Sequence, residues 1–354
     1  MRQSVCLVMI VRNEAAVLRR CLESARPWID HWILCDTGST DGTPALAKQL
    51  LEGVPGELHH QPWVDFGHNR SQAVALARGK ADYHLLLDAD MTLLVDGEFR
   101  EELAADACLI RFDGDFEYYL PLLVSDRHDW RYIGLTHEYL HSDSARVREK
   151  LPGVVVRHHC DGANRVEKFQ RDVALLTKAL ESEPDNPRSL FYLAQSYRDL
   201  GFGFQALERY ARRVAVGGWD EETWYARYQI ARLKHESALP WGAVLHAYLD
   251  AYQHRPSRLE PLLPVARHYR RSGQFHLGLL FSRAAIEVPY PDDLLFIERT
   301  VYDYELPLEY ALCCRGLGLE DEAARVCDGI LSRTTLPSSA RELAQRVRAA
   351  GEPA

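Results

Sequence analysis

The stretch HWILCDTGSTDGT, residues 31–43, decides the fold of the first half of the chain. Its first part, His31–Cys35, is short and apolar, and it runs into a turn rich in Asp and Gly. Thr43 followed by Pro44 is typical of a helix start, with Thr43 as the N-cap and Pro44 in the first helical position. The stretch therefore predicts a buried strand, a polar loop and a helix that continues to Leu51.

The same order of strand and helix occurs on both sides of this stretch. Further strands are predicted at Val5–Val11, Glu57–Trp63 and His84–Leu87, and further helices at Ala15–Ala25 and Asn69–Arg78. This spacing predicts an α/β domain with a mostly parallel sheet and helices on both faces. Beyond about residue 92, strands predicted at Cys108–Phe112, Tyr118–Val124 and Val154–His159 indicate an antiparallel extension of the sheet.

From Arg165 onwards the pattern is helical, and it repeats. Units begin at Ala194, Ala231, Ala266 and Ala311, each followed by small or aromatic residues at several of the offsets +3, +7, +12 and +16. The +12 position of the second unit is Ala243. The spacings of 37, 35 and 45 residues compare with roughly 34 in a tetratricopeptide (TPR) repeat. We therefore predict an α/β domain at 1–162 and an all-α TPR-like helical repeat domain at 163–354, with an ordinary helical bundle as the alternative.

Composition excludes several classes of protein. The chain has a net charge of −9 and contains no long basic run, which argues against a nucleic-acid partner. Its eight cysteines show neither a CxxC motif nor regular spacing, which predicts reduced thiols in a cytoplasmic protein. The apolar run Val5–Val11 is too short to cross a bilayer, so we expect no integral membrane segment.

Two carboxylates follow the predicted strand His84–Leu87 directly, in the sequence Asp88-Ala89-Asp90. In open parallel sheets, ligands bind at the carboxyl ends of the strands. Two Asp side chains separated by one residue of extended chain point to the same side, and such oxygen ligands suit Mg²⁺ or Mn²⁺. A metal held there would neutralise the charge on a departing diphosphate. By itself, the pair fits a solvated turn equally well.

Three motifs occur in order along the chain: MIVRNE at 9–14, CDTGSTDGT at 35–43 and LDAD at 87–90. Together they resemble the family-2 glycosyltransferases, which have the GT-A (nucleotide-diphospho-sugar transferase, Rossmann-like) fold, over roughly residues 4–160. The resemblance implies that the loops after the first two strands hold the nucleobase and ribose. It assigns nucleotide contacts to Arg12, Glu14, Asp36 and Thr37, although many members have a second Asp where this chain has Thr37.

The same resemblance places three further groups at the nucleotide and its diphosphate. Arg70, near the start of the third predicted helix, is expected close to the nucleotide, with helix capping or a salt bridge as the alternative. Asp88, Ala89 and Asp90 are expected at the diphosphate and the metal. A late histidine often completes the metal shell in this fold, which makes His159 the first candidate and His158 the second; a structural pair of histidines is the alternative. His59 and His60 show no acidic partner nearby in sequence and are expected to be structural.

An inverting transfer by direct displacement needs a base that removes the proton of the acceptor. The segment WRYIGLTHE, residues 130–138, is rich in aromatic and polar groups that suit sugar recognition. Glu138 is the first candidate for the base, with His137 orienting it or contacting the diphosphate. Asp113 and Asp115, on either side of Gly114, form a second acidic pair that is either a turn or a fallback base.

These features predict a metal-dependent inverting glycosyltransferase with a UDP-sugar donor. The uridine nucleotide and the sugar, glucose or N-acetylglucosamine, rest on the resemblance alone. Helical solenoids usually bind extended polypeptide, and bacterial family-2 enzymes with such tails look similar, so the expected acceptor is a peptide or protein side chain. An envelope saccharide or a small molecule is the alternative acceptor. The other classes are a repeat scaffold with a vestigial transferase domain and a nucleotidyltransferase, whose usual Gly-rich, Lys-containing loop this chain lacks.

Overall fold

The computed structural model describes residues 2–101, 103–114, 116–134, 136–159, 161 and 165–349. Contacts between Cα atoms divide the chain into two compact units, with the border between Glu181 and Ser182. The border predicted from sequence, after residue 162, falls in a segment that lies mostly outside the described residues, and it stays a prediction.

The first unit is built on an eight-stranded mixed sheet. Its strands are β1 (Val5–Val11), β2 (His31–Asp36), β3 (Gly56–His60), β4 (Tyr83–Leu86), β5 (Met91–Val95), β6 (Ala107–Asp113), β7 (Tyr118–Ser125) and β10 (Arg148–His158); β8 (Arg131–Ile133) and β9 (Tyr139–His141) form a separate hairpin. Its helices are α1 (Leu18–Ala25), α2 (Thr43–Leu50), α3 (Phe66–Ala77) and α4 (Arg165–Ser182). The strand order is β3-β2-β1-β4-β7-β6-β10-β5.

The first four strands of this order run parallel, and antiparallel pairing begins where β7 joins β4. All but one residue of β1 are buried, as expected for a strand covered on both faces. The predicted α/β fold with a parallel core is therefore confirmed. The extension is mixed rather than antiparallel, because β10 pairs parallel with β6, while the pairs β6–β7 and β10–β5 are antiparallel. Because β1, β2 and β4 are parallel, the loops that follow them lie at one edge of the sheet.

Several predicted details differ from the structure. The N-cap of α2 is Gly42, with φ 87°, rather than Thr43, because the Thr43 hydroxyl bonds instead to the Asp41 carboxylate at 2.6 Å. The third strand ends at His60 rather than Trp63. The third helix starts at Phe66 rather than Asn69, because the Asp65 side chain caps it by accepting a hydrogen bond from the backbone N–H of His68.

The second unit consists of helical hairpins, which confirms the predicted repeats. The hairpins are α5 (Pro187–Asp199) with α6 (Gly203–Val216), α7 (Asp220–Glu236) with α8 (Trp241–His254), α9 (Leu262–Arg271) with α10 (Phe275–Ser282), and α12 (Leu306–Gly316) with α13 (Glu320–Leu331). The short helix α11 (Ala284–Glu287) and a π-helical turn (Val301–Glu305) lie between the third and fourth hairpins, and α14 (Ser338–Ala349) follows the last. The longer third interval thus holds an insertion between α10 and α12.

The second hairpin departs from the predicted register by one residue. Its turn, residues 237–240, is one residue longer than the turns at 200–202, 272–274 and 317–319. The predicted packing residue Ala243 is therefore exposed, and Val244 takes its buried place. Ala238 has a left-handed φ of 50° at the position where the other three turns have glycine.

Candidate active site

The loops after β1 and β2 are tied together by hydrogen bonds. The backbone N–H groups of Asn13, Glu14 and Ala15 donate to side chains of Ser39, Thr43 and Asp41, at 2.9, 2.8 and 3.0 Å, and the N–H of Thr40 donates to Asn13 Oδ1 at 2.8 Å. Many of the polar groups of the two motifs are therefore used in hydrogen bonds that hold these loops in one conformation. Arg12 remains exposed and Glu14 partly exposed at this edge of the sheet.

Two residues predicted to contact the nucleotide are buried. The Asp36 carboxylate accepts hydrogen bonds from the backbone N–H groups of Gly38 and Ser39, and its Oδ2 lies 3.2 Å from His60 Nδ1. The Thr37 hydroxyl donates to the carbonyl oxygen of Val11 at 3.2 Å. Both side chains shape the loop from inside.

Arg70 lies at the centre of the candidate site, on α3. Its Nη2 is 2.6 Å from Asp88 Oδ1, and its Nε is 2.7 Å from Glu138 Oε1. The guanidinium also lies 5.7 Å from the ring centre of Tyr132 and 6.0 Å from that of Phe66. Burial disfavours the charged form, but the neighbouring Asp88, Tyr132 and Glu138 outweigh it and raise the pKa of Arg70 above its ordinary value. Arg70 was expected near the nucleotide or in a capping or salt-bridging role, and the structure shows the salt bridge.

The segment that carries Glu138 packs closely against α3. A Cβ atom on Gly67 would lie 2.5 Å from the carbonyl oxygen of Gly134, so this approach requires glycine. One turn further along the helix, the Ser71 hydroxyl accepts a hydrogen bond from the backbone N–H of Tyr132 at 2.9 Å. These two contacts bring Glu138 to Arg70.

The His137 side chain lies against α4. Its Nε2 is 3.4 Å from Asp172 Oδ2, and the Thr136 hydroxyl donates to Asp172 Oδ1 at 2.9 Å. Asp172 is fully buried, and no motif in the sequence indicated it. The contacts of His137 thus anchor the loop to α4, and Arg70 is the residue that contacts Glu138.

A histidine contacts the second Asp of the pair. His158 Nε2 lies 2.9 Å from Asp90 Oδ2, whereas His159 Nε2 lies 2.9 Å from Thr92 Oγ1. Burial alone would raise the pKa of Asp90, but the hydrogen bond from His158, the charge of His158 and a backbone hydrogen bond together outweigh it and lower that pKa below its ordinary value. In the register of β10 on β5, His158 pairs with Met91, and the backbone N–H of His159 donates to the carbonyl oxygen of Asp90 at 3.1 Å. Asp90 lies in the turn before β5, so its side chain does not follow the alternation of the strand. Of the two histidines predicted as metal ligands, His158 is thus the one at the Asp90 carboxylate.

The side chains of Asp88, Asp90 and His158 suit a divalent cation that a substrate also binds. In the part of the chain that the structure describes, no three His, Cys, Asp or Glu side chains converge closely enough to hold a metal ion by themselves. Burial is the main cause that raises the pKa of Glu14 to about 7, and the charges of Asp90 and Asp88 raise it further. Asp88, Asp90 and Glu14 thus place an excess of negative charge at this site. Mg²⁺ is commonly held by one or two carboxylates together with substrate phosphates, and this arrangement matches that type of site.

The remaining predicted acidic residues lie elsewhere. Asp113 is paired with Arg157, whose Nη2 lies 2.7 Å from Asp113 Oδ2, at a solvent-exposed position. Asp115 lies outside the described residues. His59 and His60, expected to be structural, both have acidic partners: His59 contacts Glu57 at 3.1 Å and His60 contacts Asp36 at 3.2 Å.

Comparison with known proteins identifies the family. The model of glycosyl transferase family 2 matches residues 6–171. A TPR repeat-containing protein of Synechococcus elongatus, Synpcc7942_0270, is 34% identical over 311 residues, which are 80% of this chain and 75% of that protein. The chain belongs to glycosyl transferase family 2. It is a glycosyltransferase, and such enzymes generally use nucleotide-sugar donors and often divalent metals.

Two further likenesses cover the two halves of the enzyme. The SPbeta prophage-derived glycosyltransferase SunS of Bacillus subtilis is 26% identical over 219 residues, so the chain spans half the length of that protein. The crystal structure of MamA protein is similar over 53% of this chain and 88% of MamA, with 17% identity and a TM-score of 0.36. Among the described helices, none is both long and apolar enough to cross a membrane.

Proposed function

We propose that the enzyme transfers glucose or N-acetylglucosamine from a UDP-sugar to a peptide or protein side chain, with inversion and with Mn²⁺ or Mg²⁺. The position of Arg70 carries the proposal. One guanidinium contacts both Asp88 of the Asp-Ala-Asp motif and the carboxylate of Glu138. A carboxylate suited to remove a proton and a site suited to a metal and a diphosphate are thereby held next to each other.

Each residue has a defined task in this proposal. Asp88 and Asp90 hold the cation, with Ala89 at the diphosphate and His158 oriented on Asp90; a bound cation would neutralise charge on the leaving diphosphate. Glu138 accepts the proton of the acceptor group as that group attacks the anomeric carbon. The new bond forms on one face of the sugar while the bond to UDP breaks on the other, which inverts the configuration.

The nucleotide is proposed to lie along the loops after β1 and β2. Arg12 is exposed and can reach a ligand, and Glu14 faces the charges of Asp88 and Asp90. Asp36 and Thr37 hold the loop rather than touch the ligand, because their side chains are buried and already hydrogen bonded.

A polypeptide acceptor is supported by the second unit. Four helical hairpins follow the transferase domain, and stacked hairpins of this kind form extended binding surfaces. A relative that shares three-quarters of its length with this chain is called a TPR repeat-containing protein. A cytoplasmic location is consistent with the seven described cysteines, all of which are free and buried.

The test is a donor screen followed by analysis of acceptors. The purified full chain with Mn²⁺ or Mg²⁺ should release UDP from one UDP-sugar above others, and intact-mass analysis should show a single hexose or N-acetylhexosamine unit added to a peptide. Absence of UDP release from every donor, with the chain folded, would contradict the proposal. Mass added to a saccharide rather than a peptide would move the acceptor to the envelope class.

Two variants test the assigned roles. Asp90→Asn should abolish metal-dependent turnover and leave the fold intact. Glu138→Gln should lower the rate of transfer by roughly 10²-fold or more and leave UDP affinity nearly unchanged. Asp113→Asn is the matched control, since its exposed carboxylate pairs with Arg157. A rate lost in Asp113→Asn and kept in Glu138→Gln would show that the base is misassigned.

A further inference from the structure

The insertion between the third and fourth hairpins forms most of the wall of a cavity of about 260 Å³. Residues of α11, of the chain that follows it and of the π-helical turn Val301–Glu305 line the cavity, together with Arg333 from the end of α13. Pockets that bind drug-sized ligands have volumes of roughly 300–1,000 Å³. This cavity is smaller, so it suits a small ligand.

Two arginine side chains meet in this cavity on one carboxylate. Arg299 Nε lies 3.0 Å from Asp303 Oδ2, and Arg333 Nη1 lies 2.6 Å from Asp303 Oδ1. The Asp303 side chain is 20% exposed, whereas those of Arg299 and Arg333 are 54% and 46% exposed. Asp303 thus holds the two guanidinium groups next to each other, and both remain accessible to solvent.

The charge of the cavity lining is positive, although the chain as a whole has a net charge of −9. Arg299 and Arg333 contribute two positive charges and Asp303 one negative charge, and the other lining residues are uncharged. Each guanidinium has five N–H donors, and Asp303 accepts one hydrogen bond from each. Because the fork of a guanidinium matches the oxygens of a phosphate, the pair suits a phosphate group.

The backbone that carries Asp303 departs from the α-helix, and the sequence explains why. Pro307, in the first turn of α12, has no N–H to donate to the carbonyl oxygen of Asp303 four positions earlier. Residues Val301–Glu305 are π-helical, a rare conformation that occurs frequently at functional sites. The irregular turn thus coincides with the residue that orients both arginines.

Two tyrosines add aromatic surface to the lining. The ring centres of Tyr290 and Tyr302 lie 5.1 Å apart. The Tyr302 hydroxyl donates to Glu260 Oε2 at 2.7 Å, so it is not available to a ligand, whereas Tyr290 is 41% exposed. Small-molecule sites combine aromatic walls with a few polar groups, so Tyr290 is placed to contact the carbon skeleton of a phosphate ester.

We propose that this cavity binds a phosphate group, as the free ion or on a small molecule, with Arg299 and Arg333 on the phosphate oxygens. All residues of the site belong to the second unit, so the inference does not depend on the proposed donor or acceptor. A ligand that binds only the folded state raises its stability. Phosphate should therefore stabilise the second unit against unfolding.

The experiment measures binding to the full chain by calorimetry, with glucose 6-phosphate, inorganic phosphate and glucose as probes. Wild type should bind the two phosphate-bearing probes and not glucose, and the affinity should fall as salt is added. Arg299→Gln and Arg333→Gln should each weaken binding about tenfold to a hundredfold, the value of one hydrogen bond to a charged group. Tighter binding of glucose 6-phosphate would identify an ester as the ligand, and Tyr290→Ala should then weaken that probe alone. Equal affinities would identify the free ion.

Arg325→Gln is the matched control, because Arg325 is also exposed and paired with a carboxylate, that of Glu322, but does not line the cavity. It should bind as wild type does. Exposed ion pairs contribute little to stability, so all three glutamine variants should unfold at the same urea concentration as wild type when phosphate is absent. Phosphate should raise that concentration for the second unit in wild type and in Arg325→Gln only. Equal binding by wild type, Arg299→Gln and Arg333→Gln would overturn the proposal, as would a wild-type chain that binds neither phosphate-bearing probe in the millimolar range.

Discussion

The substitution Arg70→Met removes the guanidinium between two carboxylates and keeps most of the side-chain volume. The Glu138 side chain is 12% exposed and that of Asp88 is 32% exposed. Removal of one partner from a buried ion pair costs about 3–5 kcal/mol, because the other charge stays buried without compensation. Asp88 can recover part of its hydration, so we expect a loss of about 3 kcal/mol in the free energy of unfolding of the first unit.

Arg157→Met is the matched control for this loss. Arg157 likewise has two nitrogens in ion-pair contact, both with the Asp113 carboxylate, but the Arg157 and Asp113 side chains are 52% and 39% exposed. Exposed pairs of this kind contribute at most about 1 kcal/mol. Both variants lose a guanidinium, so the difference between their losses in the free energy of unfolding reports the effect of burial.

The assay is unfolding of the full chain in urea, monitored by circular dichroism. Arg258→Met identifies the transition of the second unit, because Arg258 is fully buried in an ion pair with Glu260 there. Arg70→Met should shift the other transition, and adding Glu138→Gln should restore part of the stability by removing the stranded charge. A loss no larger than that of Arg157→Met would refute the reasoning.

Two further predictions concern pH and packing. Burial and the charges of Asp90 and Asp88 raise the pKa of Glu14 from 4.5 to about 7, so its contribution to stability is fully present below pH 4.5 and is lost as the pH rises through 7. Urea unfolding should therefore show Glu14→Gln to be more stable than wild type at about pH 8 and equal to it at about pH 4; equal effects at both would contradict this. Gly278→Ala places a Cβ 2.6 Å from Cys313 Sγ and should cost the second unit about 1–3 kcal/mol, which Cys313→Ala should partly restore. No loss in Gly278→Ala would show that the hairpins have room to adjust.

Hydropathy patterns predicted the elements with long apolar runs and not the short ones. β1 and β4 lie within one residue of their predicted bounds, because a buried strand must be apolar along its whole length. The short strands β5, β8 and β9 were not predicted. They have three to five residues each, and most of those residues are not buried, so they lack a continuous apolar run and their pairing depends on the strands next to them.

The repeat pattern shows the same limit inside the second unit. Alanines at fixed offsets predicted the hairpins, because two helices can approach closely only where side chains are small. One extra residue in the second turn moved the buried position from Ala243 to Val244. Counting offsets along the sequence does not reveal such an insertion when both the expected position and its neighbour are apolar.

The sequence by itself determined the class of this protein: strands that end in Asp36 and in Asp88-Ala89-Asp90, and a helical repeat tail. Those features are local, because strand periodicity, turn residues and acidic pairs each involve only a few neighbouring positions. Tertiary structure alone decided which side chains meet at the site. Arg70 contacts Glu138, 68 positions away, and the side chain of His158, rather than that of His159, contacts the Asp90 carboxylate. These contacts join segments that are distant in sequence, so they depend on how the strands pair and on the turn that carries Asp90.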